Sequence, residues 1–161
     1  LMRELPANET SERVTFEARR AIERIIVERA IRHAGDGELD TLVKLARTEQ
    51  SASERGSKQQ RVTLSGDFHR QLATLGRNSV LSEFLNELVS RTSLIIALYE
   101  SPGAVPCSHS EHLEIADALR RRDVMKAVQY MDHHLQHIEA QIDLSDAFQG
   151  ADFDKLFKQA R

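Results

Sequence analysis

Apolar positions along the chain recur at three- and four-residue intervals, with no sustained alternation, so the pattern predicts helices throughout. A first helix is predicted over about Arg13–His33, with an apolar stripe of Val14, Ala18, Ala21, Ile22, Ile25, Ile26 and Ala30. "GDG" at 35–37 interrupts it, since glycine disfavours helix and supplies a turn. A second helix follows through Leu39, Leu42, Val43 and Ala46, then fades into "SASERGSKQQ" (51–60), which is small, polar and loop-like. The third carries Val62, Leu64, Phe68, Leu72 and Leu75 and stops near "LGRN". The fourth, about Ser79–Tyr99, is the most apolar (Leu81, Phe84, Leu85, Leu88, Ile95, Ile96) and is expected to be a buried central helix. "SPGAVPCS" is a break, and "SHSE" (108–111) after it reads as a capping box. The fifth helix holds His112, Ile115, Ala116 and Leu119. Asp123 reads as the N-cap of a sixth, whose stripe is Val124, Val128, Met131, Leu135, Ile138 and Ile142. The tail suggests a short amphipathic helix through Phe153, Leu156 and Phe157.

The fold class implied is all-α, an antiparallel bundle of six to seven helices around a central ligand or metal cavity. The bundle is assigned to 13–145, between a polar segment at 1–12 and the tail at 146–161. No internal repeat and no sustained heptad seam is evident. A length of 161 residues suits one such domain. The net charge of −3 gives no electrostatic reason for this chain to bind nucleic acid, which leaves a basic surplus on its partners. A single cysteine, Cys107, excludes an internal disulfide and fits a reducing cytoplasm. The longest apolar run, "LIIALY", is too short to cross a bilayer, so no membrane role is expected.

The candidate chemistry is in the histidines. "YMDHHLQHIEA" (130–140) holds three of the seven, but helical phase separates them. His133 points away from the stripe and His137 lies toward the outside, whereas His134 sits on the stripe's flank. On the fifth helix His112 is in line with Ile115, Ala116 and Leu119, and on the third His69 flanks Leu64, Phe68, Leu72 and Leu75. Three helices therefore each present one inward imidazole. This pattern admits two readings: hydrogen-bonded core histidines, or a three-histidine site for Zn²⁺ or another late transition metal. His33 and His109 read as solvent-facing. No inward Asp or Glu accompanies the three in phase, which counts against a metal-dependent bundle hydrolase needing a general base. Arg91, flanking the stripe of the fourth helix, reads either as a snorkelling side chain or as a fork-shaped donor for a carboxylate ligand.

"EARRAIE" (17–23), "FHRQLATLGRN" (68–78), "EHLEIADALRRRD" (111–123) and "AVQYMDHHLQHIE" (127–139) stand in the order and spacing of one domain type. The chain resembles the C-terminal effector domain of GntR-type bacterial transcription regulators of the FadR subfamily, the FCD domain, over roughly Arg13–Asp143. The resemblance implies an all-helical, homodimeric sensor of a small organic acid, not an enzyme, working in the cytoplasm. It also implies a winged-helix domain N-terminal to it that contacts operator DNA, of which 1–12 would be the edge. Many such domains hold a metal through an aspartate, a histidine four residues later, the histidine of the "EH" motif and one in the last helix. Carried across residue by residue, these are His69, His112 and His134, with Ser65 standing where the aspartate is expected. The resemblance implies a divalent ion, Zn²⁺ with Ni²⁺ or Mn²⁺ as alternatives, and suggests Arg19 and Asn78 as further cavity residues. The rivals to this reading are the hydrolase and a purely structural dimerisation module.

Overall fold

In a computed structural model, which describes residues 11–53, 56–101 and 110–143, six helices account for nearly all of the described residues. They are α1 (Ser11–His33), α2 (Asp36–Ser53), α3 (Lys58–Leu75), α4 (Ser79–Tyr99), α5 (Ser110–Arg120) and α6 (Val124–Ala140). The all-α bundle expected from the periodicity is what forms. The expected tail helix, Cys107, His109 and the serine of the "SHSE" box lie outside the described residues.

Successive helices reverse direction because their connections are short, and two sets of polar ties mark the two ends of the bundle. At one end Arg29 on α1 donates to the Gly76 carbonyl after α3 (2.8 Å), and Arg122 after α5 donates to the Ile31 carbonyl and to Asp36 (2.6 Å each). Arg77 and Arg122 both adopt positive φ (52° and 57°), closing the turns that lead into α4 and α6. At the other end the last turns of α4 and α6 are joined by backbone hydrogen bonds, Ser101 N–H to Gln141 O (3.0 Å) and Asp143 N–H to Tyr99 O (2.8 Å). α1 packs against α3, α4 and α6, while α2 closes over α3 and α5. Asn78 and Asp123 cap α4 and α6, accepting from the amides of Leu81 and Lys126.

Four details depart from the sequence pattern. α2 continues to Ser53 rather than fading near 51, so the link to α3 shrinks and the last turn of α2 brings in Glu49. The buried face of α1 is Phe16, Arg19, Glu23, Ile26, Val27 and Ala30, whereas Ala18, Ala21 and Ile25 of the predicted stripe are exposed. The stripe was misphased because two charged residues occupy the middle of the true core face. α4 is not a buried central helix: only Leu85, Val89 and Thr92 are buried, and Phe84 is 58% exposed. On α6 the buried centre is Ala127, Met131, His134, Leu135 and Ile138, with Val124 largely exposed, so His134 lies in the middle of that face rather than on its flank.

The core of Phe16, Ile26, Leu39, Leu42, Phe68, Leu72, Leu85, Ile115, Leu119, Met131 and Leu135 runs the length of the bundle. Gly66 lets α3 approach α4, since a Cβ there would stand 3.2 Å from Val89 Cγ1. Leu42→Ala, at a fully buried position, is expected to cost about 2–5 kcal/mol, while Ile25→Ala should stay within about 1 kcal/mol despite its place in the predicted stripe. Urea denaturation midpoints check both.

Candidate metal centre

Position 69 is one residue beyond Phe68 on the inner face of α3, and 112 begins the inner face of α5. Position 134 is at the centre of α6. Packing these three faces together brings His69, His112 and His134 to one point, each essentially inaccessible to solvent. His112 Nε2 lies 3.2 Å from His69 Nε2 and 2.9 Å from His134 Nε2. The Phe68 ring stacks on His112 at 4.2 Å between centroids, fixing that imidazole's plane.

Each ring is held from behind by its own carboxylate. Glu23 Oε2 meets His69 Nδ1 at 2.6 Å, Glu49 Oε2 meets His112 Nδ1 at 2.6 Å, and Glu111 Oε2 meets His134 Nδ1 at 2.8 Å. An ionised carboxylate only accepts, so each Nδ1 must carry the proton, which leaves Nε2 of a neutral ring as a bare lone pair. Burial, followed by the neighbouring charges, pulls His69 down from 6.5 to about 4, the attraction of Glu23 only partly offsetting it. Burial, with His112 and His69 close by, also holds His134 well below the usual imidazole range. Burial alone would raise the Glu23 carboxyl, but His69 and Arg19 together outweigh it and bring it to about 2. His69 and His134 are therefore neutral at pH 7, and each turns a bare Nε2 towards His112 Nε2.

Imidazole nitrogens converging on one point are the donor set that a metal cation recruits. The three rings form a group that could hold a metal ion. Two donors about 2.0–2.1 Å from one ion and at right angles lie roughly 3 Å apart, close to the spacing of these nitrogens. The charge count agrees. Arg19 sets one buried positive charge against the three carboxylates of Glu23, Glu49 and Glu111, leaving two negative charges that a divalent ion would balance.

A cavity with about 50 Å³ of free space adjoins the rings, walled in part by Arg19, Arg61, Ser65, Ser93, His112 and His134. Arg19 is fixed by Glu23 (2.7 Å) and the Thr92 hydroxyl (2.6 Å). The wall extends to Glu100 and Gln141, where α4 and α6 are tied, with Glu100 paired to Lys58 at 3.3 Å.

The FCD domain family matches residues 14–137. The chain belongs to the FCD domain family. FCD domains are effector-binding regulatory domains of the GntR family, a class that is generally non-enzymatic. No curated protein matches the chain. No helix among the described residues is long and apolar enough to cross a membrane.

Within this FCD domain, Arg19 and Ser65 reach the cavity, as the sequence suggested. Arg91 does not. It is 62% exposed and paired with Glu87 at 2.8 Å, because the inward position on that turn of α4 is taken by Thr92. Asn78 is an N-cap at the far end of the bundle and lines no part of the cavity. His133 and His33 face solvent as expected, but His137 is half-buried, with Nδ1 2.7 Å from Glu111 Oε1 and Nε2 2.7 Å from Gln141. The expectation of no inward carboxylate is overturned by Glu23, Glu49 and Glu111. The "SHSE" capping box begins at Ser108, outside the described residues; within them the Glu111 carboxylate serves two histidines. A signal for these residues existed. Glu49 continues the Leu39, Leu42, Ala46 stripe, Glu23 is in phase with Phe16, Ile26 and Ala30, and Glu111 is in phase with Ile115 and Ala118.

The depressed titration of His69 has a sign. Between 6.5 and about 4 the unfolded chain binds a proton there that the folded chain does not, so stability is present above this window and declines as pH falls through it. Glu23 extends the loss from 4.5 towards 2. Melting temperatures of chelator-treated protein should fall steadily from pH 6.5 to 4, and a flat profile there would contradict the neutral assignment.

Proposed function

We propose that this domain senses a small organic acid at a histidine-held divalent metal, Zn²⁺ by preference, with Ni²⁺ or Mn²⁺ as alternatives. The observation that carries this reading is the convergence of three buried imidazole Nε2 atoms, each ring backed by a carboxylate. His69, His112 and His134 would hold the ion through Nε2, and the ion supplies a Lewis-acid centre attractive to a carboxylate. Glu23, Glu49 and Glu111 set ring orientation and tautomer and strengthen the nitrogen donors. Arg19 and Arg61 give the cavity the positive charge that a small anion needs, and Ser65 and Ser93 offer hydroxyls to it.

The domain works in the cytoplasm as a homodimer and reaches operator DNA only through a winged-helix domain N-terminal to it, of the FadR-subfamily type. An effector changes DNA affinity by binding one dimer arrangement more tightly than another, and only by that difference. The hydrolase alternative loses ground because the three carboxylates nearest the rings are committed to Nδ1, away from the Nε2 side. A purely structural module gives no reason for three buried imidazoles to converge beside a cavity.

His112→Ala and His134→Ala should each abolish co-purifying metal in elemental analysis and remove the thermal stabilisation given by small dicarboxylates and hydroxy acids. Full metal content in both variants would sink the reading. Ser65→Asp should retain the metal while weakening acid-induced stabilisation about ten-fold or more, since a fixed carboxylate would occupy the position offered to the ligand. Calorimetric titration with the same acids reads this out.

A further inference from the structure

The outward side of α6 carries histidine chemistry that the inner centre does not use. His133 and His137 have side chains 73% and 33% exposed and stand four residues apart, about one helical turn. Their ring centroids are 6.3 Å apart. Both rings turn Nδ1 to the same oxygen, Oε1 of Glu111, from the first turn of α5. That oxygen lies 2.7 Å from His137 Nδ1 and 4.0 Å from His133 Nδ1.

Glu111 is held so that this oxygen faces outward. The residue is buried, and its other oxygen, Oε2, accepts from His134 Nδ1 at 2.8 Å. A carboxylate near a surface ordinarily collects a Lys or Arg. Among the described residues Glu111 is paired with His133, His134 and His137 and with no Lys or Arg. A structural duty accounts for only one of the two outer rings. The hydrogen bond of His137 to Glu111, continued to Gln141 at 2.7 Å, ties α5 to the end of α6. His133 stands beyond hydrogen-bond reach of Glu111 and packs into no core. What its position does provide is a second nitrogen donor one turn from His137.

We infer that His133, His137 and Glu111 form a second metal site, on the surface of α6, for a divalent ion of the Zn²⁺ type. Histidines at i and i+4 hold a metal on one helix face, and a carboxylate oxygen is a usual further ligand. Donors bound about 2.0–2.1 Å from one tetrahedral ion lie roughly 3.3 Å apart. The two distances to Oε1 fall on either side of that value, so each ring shifts by less than about 1 Å. The exposed His133 ring closes by side-chain rotation alone. His137 ligates through Nδ1 once the Gln141 amide turns to accept the Nε2 proton. Water completes the shell on the open side.

This site uses no atom of His69, His112 or His134, and it does not rest on the reading of the inner centre. The two share only Glu111, which gives Oε2 to the ring of His134 and Oε1 to the outer pair.

Equilibrium dialysis of the chelator-treated 161-residue chain against Zn²⁺ tests the proposal. His133→Ala/His137→Ala should take up one equivalent fewer than the parent. That difference is the same whether or not the inner histidines hold an ion, so failure of the inner reading changes both totals and leaves the difference intact. His133→Ala alone should weaken the outer equivalent at least about ten-fold, and its exposed position keeps the fold out of the result. His33→Ala, which removes an exposed histidine elsewhere, should bind as the parent does. Equal uptake by the parent and the double variant, or an equal loss in His33→Ala, would overturn the proposal.

Discussion

The structure turns on the tautomer of three imidazoles. Once Glu23, Glu49 and Glu111 accept from the three Nδ1–H groups, the Nε2 atoms have to face one another, because the three rings meet at one point of the bundle. Much of the polar interior follows from that. Arg19 is buried to accompany Glu23, Thr92 replaces an apolar residue of α4 to receive Arg19, and Phe68 lies flat against His112. Six helices thus contribute to one polar cluster, since α2 brings Glu49 and α4 brings Thr92 although neither carries an inward histidine. Such a network is favourable only when each member is satisfied, and every ring nitrogen facing a carboxylate here has its partner.

Helical periodicity located the bundle, the bounds of α4 and the cap of α6, because apolar spacing and Asx capping are local signals. It located His69, His112 and His134 for the same reason. It failed on α1, where the buried face carries Arg19 and Glu23, and a rule that seeks apolar stripes rotated the helix toward Ala18, Ala21 and Ile25. It failed on Glu49 because the stripe of α2 was followed only through Ala46, and the next inward residue is charged. These failures share a cause. A buried ion pair looks like surface in a single sequence, and only the partner on a distant helix shows otherwise. Arg91 is the opposite error, a cation near apolar residues that proved to lie on an outward apolar row rather than the inward one.

α4 joins these two populations. Its inner side is short and partly polar, with Thr92 in the cluster and Val89 and Ser93 on the cavity wall, and its outer side holds the exposed row from Val80 to Leu98. The apolarity that made it look like a central helix is real but is divided between two faces. The ends of α4 and α6 are tied beside the cavity wall at Glu100 and Gln141, so the inner face of α4 and the last turn of α6 share one boundary of the cavity.

Ser65 fits the charge balance of the site. The cluster already holds three carboxylates against one guanidinium, and a divalent ion would bring that sum to neutrality. An aspartate at 65 would add a further negative charge to the cavity wall and leave an arriving organic acid facing net repulsion. With serine there, the wall keeps a hydroxyl and no charge, and the arriving carboxylate can take the role a protein carboxylate would otherwise fill. Under the proposed function, the residue that departs from the expected ligand set is therefore the one that makes the site depend on its effector, with Arg61 at the cavity's edge supplying the opposite charge.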